Sequence, residues 1–338
     1  MKGICWIIIA FFVSFLMGEK TTGSFFNINI GKQTKGIAAI LIILGHTING
    51  YGLKEFSWLN VGWLCVAIFF FWSGYGVMYS YVVKKEYLHY FWRDRVIKLF
   101  VPFLGIHIVY IVFKCLMGER YTFIDIILSV LGQCTIVDNA WYPVAVLIFY
   151  ILFYYIFKRK ISLKKKILKT TVGVTGITII ERFLMGTNND WWLISNLAFL
   201  VGIGAYIYKE KIEKNWKRSM ILCMFVMCIG GALLPVWSRI VGYSFWIYLV
   251  QCNIISASIA LFIVVGVSAL NRKNLFSMYL GEISYELYLI HGLWIFWVGK
   301  IQLLVGVKVI IVLGGSIISA TVLHKINSQI INNLIHRN

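Results

Sequence analysis

In the stretch Lys35-Gly-Ile-Ala-Ala-Ile-Leu-Ile-Ile-Leu-Gly-His46, two residues can do chemistry that the apolar residues between them cannot. Eleven residues make about three helical turns, so the two side chains share a face with their backbones about 16 Å apart. Lys35 then sits at a membrane edge and His46 near mid-bilayer. A histidine inside an apolar span is costly and is a functional candidate by default. It can take a proton as a general base or attack an acyl carbon as a nucleophile. A lysine three turns away suits the charged part of an anionic cosubstrate whose reactive tail reaches the histidine. The same spacing also fits a hydrogen-bonded packing histidine beside a snorkelling interfacial lysine.

The elements that must position this pair are transmembrane helices. Of 338 residues 60% are apolar, enough for about ten crossings at roughly 20 residues each. Charged residues make up only 13%, against ~25% in soluble domains, and three prolines punctuate the chain. Soluble globular, disordered, collagen-like and nucleic-acid-binding classes are excluded. Apolar stretches lie near 4–18, 36–52, 58–83, 96–117, 140–157, 167–186, 191–208, 219–237, 243–270, 276–299 and 301–323. The expectation is an all-α polytopic membrane protein, a bundle of about 10–11 transmembrane helices. A further piece, 123–136, is broken by Asp125 and Gln133 and reads as re-entrant or interfacial. Residues 1–18 read as an extra N-terminal span, or as a signal-like segment lacking the small-residue cleavage site.

The net charge of +19 reports orientation rather than a polyanion partner. Of the 32 basic residues, 24 fall in one alternate set of connectors: 19–35, 84–98, 158–169, 209–218, 272–273 and the end beyond 324. The other set holds only Lys2, Lys54, Lys114, Arg120, Arg182, Arg239, Lys300 and Lys308. The positive-inside rule assigns the first set, and with it the C-terminus, to the cytoplasm. The seven cysteines are scattered without metal-ligand spacing and read as small buried hydrophobes, so no metal is expected. Gly202-Ile-Gly204 lacks the rest of a dinucleotide fingerprint, which argues against a nucleotide-driven pump. No long polar insert supplies a soluble module, so chemistry must occur within the bundle.

The Lys35–His46 stretch resembles the opening signature of the integral-membrane acyltransferase 3 family, a basic residue followed after ten residues by histidine. Further similar segments follow in order: Phe69-Phe-Phe-Trp-Ser73-Gly74-Tyr75, Arg95-Val-Ile-Lys98-Leu99-Phe-Val-Pro102, Trp141-Tyr142, and Ile283-Ser284-Tyr285-Glu286-Leu287-Tyr288-Leu289-Ile290-His291. The resemblance spans about 30–325, leaving 326–338 as a cytoplasmic tail. It departs from the family at the extra first span and at Lys35, where many members have arginine. Lysine there is similar to the branch of fucose 4-O-acetylase-like proteins.

The resemblance implies acyl transfer, by default of acetyl from cytosolic acetyl-CoA, to a sugar hydroxyl of a surface polysaccharide or its lipid-linked precursor, in the bacterial inner (plasma) membrane. It makes His46 catalytic, as base or as acyl carrier, and makes Lys35, Arg95 and Lys98 the acyl-CoA-binding cations. Ser73, Asn49 or Tyr285 could supply a donor to the tetrahedral oxyanion. Tyr285, Tyr288 and His291 form a stripe that lines the cavity or seals a helix contact. Trp141 stacks on a sugar ring or serves as an interfacial anchor. The expected partners are acetyl-CoA, a glycan acceptor and the lipid bilayer, with no nucleic acid. The competing reading is a glycan transporter or flippase, which predicts translocation without a covalent product. A polysaccharide polymerase is disfavoured by the shortness of the longest external segment, 118–139.

Overall fold

The computed structural model describes residues 2–185, 190–241 and 244–336. In chain order the α-helices are α1 Lys2–Leu16, α2 Ile28–Gly50, α3 Gly62–Val83, α4 Lys98–Leu116, α5 Phe123–Val130, α6 Trp141–Phe157, α7 Leu163–Met185, α8 Leu197–Ile207, α9 Lys209–Lys214, α10 Trp216–Val241, α11 Phe245–Leu270, α12 Leu275–Glu282, α13 Ser284–Gly299 and α14 Val305–His336. Short 3-10 turns cover Lys54–Leu59 and Asp190–Trp192, and a π-helical turn, Trp92–Ile97, leads into α4. The two short strands, β1 Glu19–Lys20 and β2 Arg272–Lys273, pair antiparallel. The fold is therefore all-α, with five helical segments among the described residues long and apolar enough to cross a membrane and the apolar α1 and α6 somewhat shorter.

Each of the eleven apolar stretches contains helix where it is described. The ends of two, at 186 and 243, lie outside the described residues, as does Arg337 in the basic tail. The stretch 276–299 is two helices rather than one: α12 ends at Glu282, Ile283 caps it, and α13 begins at Ser284, whose hydroxyl donates to Gly281 O. The segment 123–136 gives only the eight-residue α5, opened by a capping box between Thr122 and Asp125. Helix α14 continues through residue 326 to His336.

Helices α2, α3, α8, α11 and α13 form the centre, while α4 and α14 turn most of their apolar surface outward. Two crossings are so close that only glycine fits. A Cβ on Gly74 or Gly202 would strike the backbone of Phe199 or Phe71, which locks α3 against α8. A Cβ on Gly36 or Gly281 would strike Ser277 O or Lys32 O, which locks α2 against α12. In lipid, where apolar surface gains nothing by leaving water, close backbone packing of this kind holds helices together. Helix α1 belongs to the bundle, with Phe11 and Phe15 fully buried. Arg272 Nη1 donates to Leu16 O and Gly18 O, and Asn274 Nδ2 donates to Ser14 O. The β1–β2 pairing brings two of the basic connectors, 19–35 and 272–273, to the same end of the bundle.

Candidate active site

Lys35 and His46 both lie on α2, but they line different chambers. The first has a volume of about 1020 Å³ and is lined by Lys35, Lys32, Lys84 and Arg95 with the rings of Phe26, Trp72, Tyr75 and Tyr79. The second, about 530 Å³, opens beside His46 and holds Asn49, Asn60, Trp63, Asp138, Asn139, Trp141, Asp190, Trp191, Tyr288 and His291. These two chambers share no lining residue. The rings of Phe69, Tyr142 and Tyr288 pack together with centroids 5.3–6.1 Å apart, and of the three only Tyr288 lines a chamber, the second.

The first chamber's cations are held differently. Arg95 Nε donates to the Tyr87 hydroxyl at 2.8 Å, and Nη2 donates to Gly76 O at 2.6 Å and Ser80 Oγ at 2.8 Å. The Tyr150 ring flanks the guanidinium at 5.9 Å. A side-chain hydrogen bond to Tyr150 adds to these, and together they fix the fork. Lys32 is paired with Glu282 at 2.6 Å. Lys98 is exposed and lines neither chamber, whereas Lys84, an orientation charge by sequence, lines the first.

In the second chamber the hydrogen bonds select the tautomer of a neutral His46. His291 Nδ1 lies 3.3 Å from Leu287 O, a carbonyl that can only accept, so that nitrogen carries the proton. His291 Nε2 is then an acceptor, and it faces His46 Nδ1 at 2.8 Å and Asn139 Nδ2 at 3.2 Å. His46 Nδ1 must therefore donate, which leaves the lone pair of neutral His46 on Nε2. That nitrogen lies beside Gly62, where a Cβ would sit 3.6 Å away.

Two connectors bring the remaining polar groups. The segment before α6 is pinned by Ser129, whose Oγ bonds His107 Nε2 at 3.0 Å and accepts from Val137 N, and by buried Lys114 donating to Ile136 O. It delivers Asp138, Asn139 and Trp141. The segment before α8 is pinned by Asn253 Nδ2 to Leu193 O, Ser256 Oγ to Ile194 O and Ser195 Oγ to Trp63 O. It delivers Asp190 and Trp191.

Of the residues singled out by sequence, His46, His291, Tyr288, Trp141 and Asn49 meet in the second chamber, and Lys35 and Arg95 in the first. Ser73 lines neither and faces Tyr142. Tyr285 also lines neither, and its hydroxyl donates to Leu99 O at 2.8 Å. Sequence reasoning missed Asn139, Asp138, Asp190, Trp63 and Trp191. The available signal was a polar residue within three positions before a tryptophan at the mouth of a span, as in Asp138-Asn139-Ala140-Trp141 and Asp190-Trp191. Among the described residues, no cluster of three His, Cys, Asp or Glu could hold a metal.

The arrangement is a neutral histidine, oriented by a second histidine, with its basic nitrogen open to a polar, aromatic chamber. The sequence model of the acyltransferase 3 family, described as an acyltransferase domain, matches residues 33–325. The chain belongs to the acyltransferase 3 family. This membrane acyltransferase thus carries the second chamber and the histidine pair inside the matched region, while the first chamber also draws lining residues from 24–32, before it, and α1 lies outside it. No curated protein and no solved structure matches it.

Proposed function

We propose that this acyltransferase moves an acetyl group from cytosolic acetyl-CoA to a sugar hydroxyl of a cell-surface polysaccharide or its lipid-linked precursor, in the bacterial inner membrane. The observation that carries the reading is the pair of chambers with opposite chemistry, with His46 Nε2 opening into the second. The first combines Lys35, Lys84 and Arg95 with Trp72, Tyr75 and Tyr79, a set suited to the phosphates and flat base of a nucleotide. The charge count supports a cytoplasmic location for that end and for the C-terminus. Lys98, assigned by resemblance, gives way in this reading to Lys84. Lys35 in place of arginine favours the fucose 4-O-acetylase-like branch.

The second chamber offers three tryptophans, whose faces suit the apolar faces of sugar rings, and short amides and carboxylates suited to hydroxyls. No lysine or arginine is among its lining residues. His46 Nε2 takes the proton of the sugar hydroxyl as its oxygen attacks the acetyl carbon, or first carries the acetyl group itself. Either way positive charge develops on the imidazole. The Nδ1–H bond to His291 strengthens as it does, and holds the ring in place.

The test is labelled acetyl-CoA supplied to membranes containing the protein, followed by isolation of the envelope glycan. Label is expected in base-labile ester linkage to a sugar. Glycan translocated without acetylation, with no labelled product, would overturn the reading in favour of a transporter.

A further inference from the structure

Tyr288 is buried to 2% exposure in the wall of the second chamber, and its hydroxyl has no hydrogen-bond partner. A buried hydroxyl left unpaired costs about 1–3 kcal/mol, so such a group in a substrate chamber calls for an acceptor that arrives with the ligand. Three other donors are differently placed. Asn139 Nδ2 faces His291 Nε2, the Tyr285 hydroxyl is bonded to Leu99 O, and Ser73 lines neither chamber.

The position along α13 is informative. Glu282, just before α13, lines the first chamber, and Tyr288 and His291 line the second. Tyr288 is one turn before His291, with ring centroids 6.1 Å apart, and His291 holds His46. Tyr288 also packs against the rings of Phe69 and Tyr142, and of those rings it alone lines the second chamber. An acyl group passing from the Lys35 end to His46 meets this hydroxyl immediately before the histidine.

We propose that the Tyr288 hydroxyl is the catalytic donor that binds the acyl carbonyl oxygen and carries its negative charge in the tetrahedral intermediate. The proposal rests on the acetyl-transfer reading above. In direct transfer, the acceptor oxygen forms a bond to the carbonyl carbon as His46 Nε2 takes its proton. The carbonyl π pair moves to the oxygen that Tyr288 O–H holds. Collapse restores the carbonyl and breaks the carbon–sulfur bond, and the departing thiolate takes the proton from Nε2. If His46 carries the acetyl group, Nε2 bonds to the carbonyl carbon and expels the thiolate, and the acceptor oxygen then displaces Nε2 as its proton passes to that thiolate, so the same oxygen becomes anionic in each half-reaction.

Because no protein group depends on this hydroxyl, Tyr288→Phe separates catalysis from packing. The variant is expected to keep the thermal stability of the detergent-solubilised protein and the KM for acetyl-CoA, while kcat falls about 10²–10³-fold, as for loss of one oxyanion donor. Unchanged kcat overturns the proposal. A matched loss of stability and activity also overturns it, since it makes Tyr288 a packing residue. Wild-type membranes that transfer no acetyl group at all refute the underlying reading, and the proposal falls with it.

Discussion

Arg95 and Lys98 are three residues apart and equally basic, yet only Arg95 lines the first chamber. In a regular α-helix that spacing would put both on one face. Here the chain passes through the π-helical turn Trp92–Ile97, whose wider winding turns Lys98 away from Arg95. This phase change is invisible in residue spacing, and with it Lys98 falls outside the lining of the first chamber. The consequence is measurable. Removing a charge-assisted contact costs about 1.5–3 kcal/mol, so Arg95→Ala is expected to raise the KM for acetyl-CoA about 10–100-fold with a smaller effect on kcat. Lys98→Ala is expected to leave KM unchanged. Equal effects from the two, at matched expression, would contradict the assignment. His46 was legible because a histidine is conspicuous in an apolar span. Its partner His291 was visible only as part of a stripe, since nothing local says that residues 245 apart in sequence sit 2.8 Å from one another.

Helices were the easiest elements to read, because 3.6-residue packing in lipid needs only long apolar runs. Breaks inside those runs were not legible. The 276–299 run contains the Ile283 interruption, which follows Gly281, the point where α12 touches the backbone of α2 at Lys32. Close crossings of this type position the chambers, since the Gly74–Gly202 contact fixes α3, which contributes Trp72 and Tyr75 to one chamber and Trp63 to the other. Gly202→Val places side-chain carbon against the Phe71 carbonyl. It is expected to destabilise the protein by about 1–3 kcal/mol or more, seen as a lower midpoint of thermal aggregation in detergent. An unchanged midpoint would mean that the α3–α8 crossing is looser than the structure shows. The connectors carrying Asn139 and Asp190 escaped the sequence reading for a different reason. They are short and irregular, and their order depends on distant anchors such as Lys114 and Asn253.

At the scale of the whole molecule, the sequence expressed polarity before it expressed shape. Alternating basic connectors implied two unlike ends, and the structure adds a basic chamber at the Lys35 end and a chamber with two carboxylates and three tryptophans around His46. The sequence suggested one continuous face from Lys35 to His46. The structure instead puts the two residues in separate chambers that share no lining residue, Lys35 in the first and His46 in the second. Such a division suits transfer between a donor entering from one end and an acceptor entering from the other. The most direct test uses inside-out membrane vesicles given labelled acetyl-CoA, comparing wild-type with His46→Ala protein at equal insertion. Wild type is expected to label the glycan, and His46→Ala to lose about 10²–10⁴-fold in rate, the contribution of a positioned base. Full labelling by correctly inserted His46→Ala protein would contradict acetyl transfer through His46.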